Sequence, residues 1–207
     1  MLLALLPGDP LAAAARRAQD QIASSGWLQA QALPPLIPLA LANVALEPAA
    51  QRRALTIVVD CVSSALLTVR AQPVRRDGAV LLELEHTQQI AAAARRVADE
   101  MPSLAQAFGS SRLASQLLPR SPGAAAILLV PAARVSSPAA RRSPERPPPS
   151  STVHRLARLA SNECRSGRWH AAVVAVSFRQ DGSSGVISWI WELIAARKLR
   201  KRAPQIY

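Results

Sequence analysis

The stretch from Ala65 to Met101, ALLTVRAQPVRRDGAVLLELEHTQQIAAAARRVADEM, places two apolar runs, a turn and an amphipathic segment in direct succession. Leu67, Val69 and Ala71 alternate with Thr68, Arg70 and Gln72, the period of two that sends successive side chains to opposite faces of a strand. Pro73 has no N–H to give a ladder, so this strand ends there or lies at a sheet edge. Asp77-Gly78 supplies the backbone freedom of a tight reversal. Val80, Leu82 and Leu84 then alternate with Leu81, Glu83 and Glu85 in a second strand. Thr87 stands where a helix cap is needed, and Ile90, Ala94, Val97 and Met101 recur at helical spacing before Pro102 stops the run. The pattern predicts strand, turn, strand, helix.

The flanking chain extends this α+β alternation. Leu2–Leu6 predicts a buried strand, and Asp9-Pro10 opens a helix over 11–25 that Gly26 closes. LPPLIP at 33–38 is too proline-rich to start a central strand, so the next strand is expected over 39–46. Residues 48–63 are assigned to a helix, although the β-branched TIVVDCV keeps a strand open there. A weak helix or loop covers 104–118 and a strand 124–130. Residues 131–152, PAARVSSPAARRSPERPPPSST, lack any core-forming period and are expected to be a disordered linker or insertion. His154–Ala160 suits a short strand or helical turn. WHAAVVAVSF at 169–178 and VISWIWEL at 186–193 predict a closing hairpin, with a helix over 186–202 as the competitor. The expected fold is a mixed, mainly antiparallel sheet with helices packed on one side. Residues 1–130 would form the first part of the core and 153–196 would complete it. Residues 197–207 would form a basic tail.

Charge is unevenly spread. Residues 1–130 hold 11 Arg/Lys against 9 Asp/Glu, whereas 131–207 hold 14 against 4. Of the 25 basic residues 23 are arginine, whose planar fork suits phosphate, so RNA or another polyanion is the natural partner. The candidate contacts are Arg155, Arg158, Arg197, Lys198, Arg200, Lys201 and Arg202. Trp189 and Trp191 share one strand face and could stack bases there, or could pack in the core. Cys61 and Cys164 have no metal-ligand spacing, and no cofactor is expected. Cys61 suits a small buried position without an activating neighbour, while Cys164 lies near Arg165 and Arg168. No apolar run approaches the ~20 residues of a membrane-spanning helix. A cytoplasmic location is expected, with a nuclear one suggested by the basic tail.

The order of elements resembles that of the two-histidine (2H) phosphoesterases, the superfamily of the 2′-5′ RNA ligase-like proteins. LLALLPGDPLAAAARRAQDQI is similar to their first strand and helix, and LPPLIPLALANVAL to the segment bearing their first His-x-Thr/Ser motif. WHAAVVAVSFRQDGSSGVISWIWEL is similar to their terminal hairpin. The resemblance implies a scaffold that handles RNA ends or cyclic phosphodiesters, one histidine serving as general base and the other as general acid. The first position falls on Leu36-Ile37-Pro38, without histidine or hydroxyl. The second falls near His154-Arg155-Leu156, which keeps the histidine and lacks the Ser/Thr. His154 is the sole catalytic candidate, and the resemblance therefore implies weak or absent turnover.

Two other classes fit the same sequence. One is a non-enzymatic basic protein that holds nucleic acid or a protein partner through its arginine-rich C-terminal third. The other is a poorly selected reading frame, whose GC-rich coding would produce the same Ala, Arg, Pro and Ser bias. His86 at a strand-to-helix junction and His170 beside Trp169 suit turn and surface positions.

Overall fold

The computed structural model describes residues 1–9, 11–24, 33–42, 45–64, 67, 69–76, 79–85, 87–102, 126–130, 168–180 and 187–200. In chain order they form β1 (Leu2–Pro7), α1 (Leu11–Ser24), β2 (Ile37–Leu41), α2 (Pro48–Cys61), β3 (Val69–Arg76) and β4 (Ala79–Leu84). There follow α3 (Gln88–Glu100), β5 (Ala126–Val130), β6 (Trp169–Gln180) and β7 (Ile187–Lys198). The α+β class, the antiparallel pairing and the closing hairpin all stand. The segments expected at 104–118, 131–152 and 154–160 lie outside the described residues.

Where one mixed sheet was expected the strands divide between two, of order β2-β1-β6-β7 and β3-β4-β5, and every pairing among the described residues is antiparallel. Proline helps explain why they stay apart. Pro38 lies in β2, the outer strand that comes near β5, where its missing N–H interrupts any further ladder, while Pro73 sits in β3 at the far edge of the other sheet. The sheets approach along β2 and β5, which come near each other without pairing. The strand expected at 39–46 runs instead from Ile37 to Leu41. Pro38 is tolerated because β2 is an edge, so the proline-rich start that argued against a central strand was no obstacle to this one.

One core joins both sheets to the helices. It takes Leu3 and Leu5 from β1, Ile37 and Leu39 from β2, and Trp169, Ala171 and Val173 from β6. Leu82, Leu84 and Ile127 enter it from the second sheet, with Leu55 and Val58 of α2 and Ile90 and Val97 of α3. Each large aliphatic side chain so buried contributes about 1.5–3 kcal/mol. The alternate residues of the central strands, Leu2, Ala4, Ala172 and Val174, are buried as well, so β1 and the first half of β6 are covered on both faces.

Local chemistry explains the helices. In α2 the β-branched Ile57, Val58 and Val59 are all buried, and that packing outweighs a propensity deficit of roughly 0.7 kcal/mol per residue at most. Pro48 opens α2, Gln51 Nε2 donates to the Leu46 carbonyl at 2.7 Å, and the Thr56 hydroxyl donates to the Arg52 carbonyl. Thr87 does cap α3 by position, but its side chain makes no capping bond. Gln89 fastens that end instead. Its Oε1 accepts from the Ser63 N–H at 2.8 Å and its Nε2 donates to the Ser63 carbonyl at 3.3 Å.

Gly8, just past β1, donates its N–H to the Arg168 carbonyl. A Cβ there would stand 2.6 Å from that oxygen, so the close crossing of the two chain segments requires glycine. Beside Arg168, Trp169 is fully buried, and its indole N–H has no hydrogen-bond partner among the described residues.

Candidate functional site

β2 carries the segment likened to a first His-x-Thr/Ser motif. Leu36, just before the strand, is fully buried, Pro38 is buried, and Ile37 and Leu39 enter the core with the helices. Nothing in Leu36-Ile37-Pro38 can take up or release a proton. Leu2, Leu33 and Leu41 belong with Leu36 among the largest fully buried side chains. His154, Arg155, Arg158, Lys201 and Arg202 lie outside the described residues, as do His86 and Cys164. Among the described residues no group of His, Cys, Asp or Glu is arranged to hold a metal ion.

The basic run at the end of the chain is not a plain tail. Arg197 and Lys198 are the last residues of β7, and Leu199 is buried, its N–H donating to the Trp169 carbonyl at 2.8 Å. The pairing with β6 decides where the charges go. Arg197 stands opposite Ala171, a core residue, and Lys198 opposite His170 on the alternate face. Arg197 Nη1 accordingly reaches α2 and donates to Thr56 Oγ1 at 2.9 Å. The Arg200 carbonyl accepts from the Ser64 N–H. Strand alternation thus separates side chains that are contiguous in sequence. A single continuous cationic patch over 197–200 is not what forms.

Other arginines gather around α2 and α3, none of them among the candidate contacts expected from the sequence. Arg52 and Arg53 on α2 and Arg95 and Arg96 on α3 are exposed, and the two helices pack on each other. Glu100 accepts from Arg96 Nε at 2.6 Å and from Arg53 Nη2 at 3.3 Å. The hydrogen bond from Arg96, more than any other influence, holds the Glu100 carboxyl below its ordinary range. Asp60 and Asp99 lie exposed on the same helices, so the excess of positive charge here is small. Helical spacing was the signal that could have grouped these arginines.

Cys61 differs from expectation. It is half-exposed rather than buried, and it does have a cationic neighbour, Arg96 Nη1 at 3.9 Å from its sulfur. Trp191, opposite Val176, is 37% exposed, so it is no core residue. Trp189 occupies the position opposite Phe178. Among the described residues no helix is long and apolar enough to cross a membrane.

No family model, curated protein or solved structure matches the chain.

Proposed function

We propose that this chain is a binding protein built on a scaffold like that of the 2H phosphoesterases, without turnover, and that its ligand is an RNA end or a cyclic phosphodiester. The observation that carries this reading is Leu36-Ile37-Pro38. Where acid–base chemistry would need an imidazole and a hydroxyl, β2 offers buried hydrocarbon. The order of elements, strand, helix, strand, helix, two strands, helix, strand and a closing hairpin, supports the scaffold. A single histidine, His154, cannot act as base and acid on opposite sides of a phosphodiester at once. Hydrolysis of a 2′,3′-cyclic nucleotide is therefore expected to be absent in the wild type and in His154→Ala alike. Turnover that His154→Ala abolishes would overturn the reading.

The basic excess of residues 131–207, 14 Arg/Lys against 4 Asp/Glu, favours a second reading, in which the protein is a basic module and the fold is incidental to binding. The two part on specificity. A 2H-like scaffold prefers an oligonucleotide ending in a 2′,3′-cyclic phosphate over the same oligonucleotide with a free 3′-hydroxyl. A basic module binds both alike, with affinity that falls steeply with salt, since each neutralised phosphate releases counterions.

A further inference from the structure

β7 ends its sheet. β6 covers one of its edges, and among the described residues no strand takes the other. β1 pairs with β6 only over Trp169–Val174, so past Val174 the β6–β7 ribbon continues as two strands alone. Apolar side chains lie open along it: Ile190 is 53% exposed, Leu193 48% and Ile194 39%, beside Trp191. A two-stranded ribbon is marginal in water by itself, and an unpaired edge is a template for another strand.

The sequence of that edge selects the strand. In ISWIWEL, Ile187–Leu193, chemical character mirrors itself about Ile190. Trp191 answers Trp189, Glu192 answers Ser188, and Leu193 answers Ile187. The segment stops where regular pairing stops, because Val173 faces Ala195 while Val174 faces Leu193, leaving Ile194 as the extra residue of a bulge. Set antiparallel against itself, with a twofold axis through Ile190, the segment opposes like with like on both faces. Tryptophan meets tryptophan, aliphatic meets aliphatic, and the one charged residue, Glu192, meets serine. The two Glu192 positions stand four residues apart along the ladder, about 13 Å. A polyanion finds no cation anywhere on the segment.

We infer that Ile187–Leu193 pairs antiparallel with the same segment of a second copy of this chain, joining two four-stranded sheets edge to edge in an isologous dimer. Residue 190 then faces itself across the axis.

Sedimentation velocity over a concentration series tests the association. The wild type should pass from monomer to dimer, and Ile190→Lys, which sets two ammonium groups face to face, should weaken the dimer at least about tenfold. Oxidative cross-linking tests the register independently, in the full chain with Cys61 and Cys164 replaced by serine. Opposed strand residues have Cα atoms about 4.5–5.5 Å apart, within reach of a disulfide. Ile190→Cys should therefore give a covalent dimer, and Trp191→Cys, whose opposite number is residue 189, should not. A wild type that is monomeric throughout overturns the inference, whether or not it binds vesicles or other strands. So does a dimer indifferent to Ile190→Lys, or one that cross-links through 191 and not through 190.

Discussion

Two residues show how single side chains set limits on this chain. Gly8 leaves room for the Arg168 carbonyl, and a methyl group would stand 2.6 Å from it. Gly8→Ala should cost about 1–3 kcal/mol in urea unfolding, as overpacking does where backbone must shift. Leu36 is the converse case, a fully buried side chain at the position where the proposed resemblance would put an imidazole. Leu36→His should lower stability by about 1–3 kcal/mol through an unpaired buried polar group, and should not create hydrolysis of cyclic nucleotides. Glu100 makes stability depend on pH. Its carboxyl ionises below the ordinary value of 4.5, chiefly because Arg96 donates to it. Its contribution is present above the unfolded-state value and is lost as pH falls through the lower folded-state value. Glu100→Gln should flatten the acid limb of a stability profile by lowering stability slightly at neutral pH, the two proteins converging at acid pH.

At the scale of elements, the join between α2 and α3 is the most specific contact the sequence conceals. Gln89→Ala removes both of its bonds to Ser63, at about 0.5–1.5 kcal/mol each, and hydrogen exchange in the first turn of α3 should quicken. Periodicity was enough to find β4 and α3, which bury Leu82 and Leu84 and Ile90 and Val97 at regular spacing, while unbroken apolar runs marked β1 and the start of β6, which are buried on both faces. Periodicity was enough for α2 only once burial of Ile57, Val58 and Val59 had overridden their poor helical propensity. The start of β2 was misplaced because Pro38 is permitted at an edge, and edge or centre is decided by strands distant in sequence. The same non-local cause governs the basic run. Arg197 reaches Thr56 and Lys198 takes the opposite face only because β6 fixes their register. Of the candidate site, the absence of a histidine and a hydroxyl at 36–38 could be read directly from residue types. The ion pair of Arg53 with Glu100 could not, since it joins helices far apart in the chain, whereas that of Arg96 with Glu100 follows from their spacing within α3.

The whole molecule has one core, in which Leu82 and Leu84 of one sheet belong with Trp169 and Val173 of the other. Unfolding should therefore be a single transition, with the near-ultraviolet signal of the buried Trp169 and the far-ultraviolet backbone signal lost together. Leu82→Ala should lower that common transition by about 2–5 kcal/mol without splitting it. Two separate transitions would mean that the sheets are independent, and absence of any cooperative transition would favour the unselected reading frame.

Leu2 of β1 is flanked by Leu41 on one side and Val174 on the other. On the ribosome, β1 must therefore wait until β6 has been made before its sheet can close. LLALLP stays sticky in the meantime, so yield in cells should rise with chaperone supply and slower synthesis.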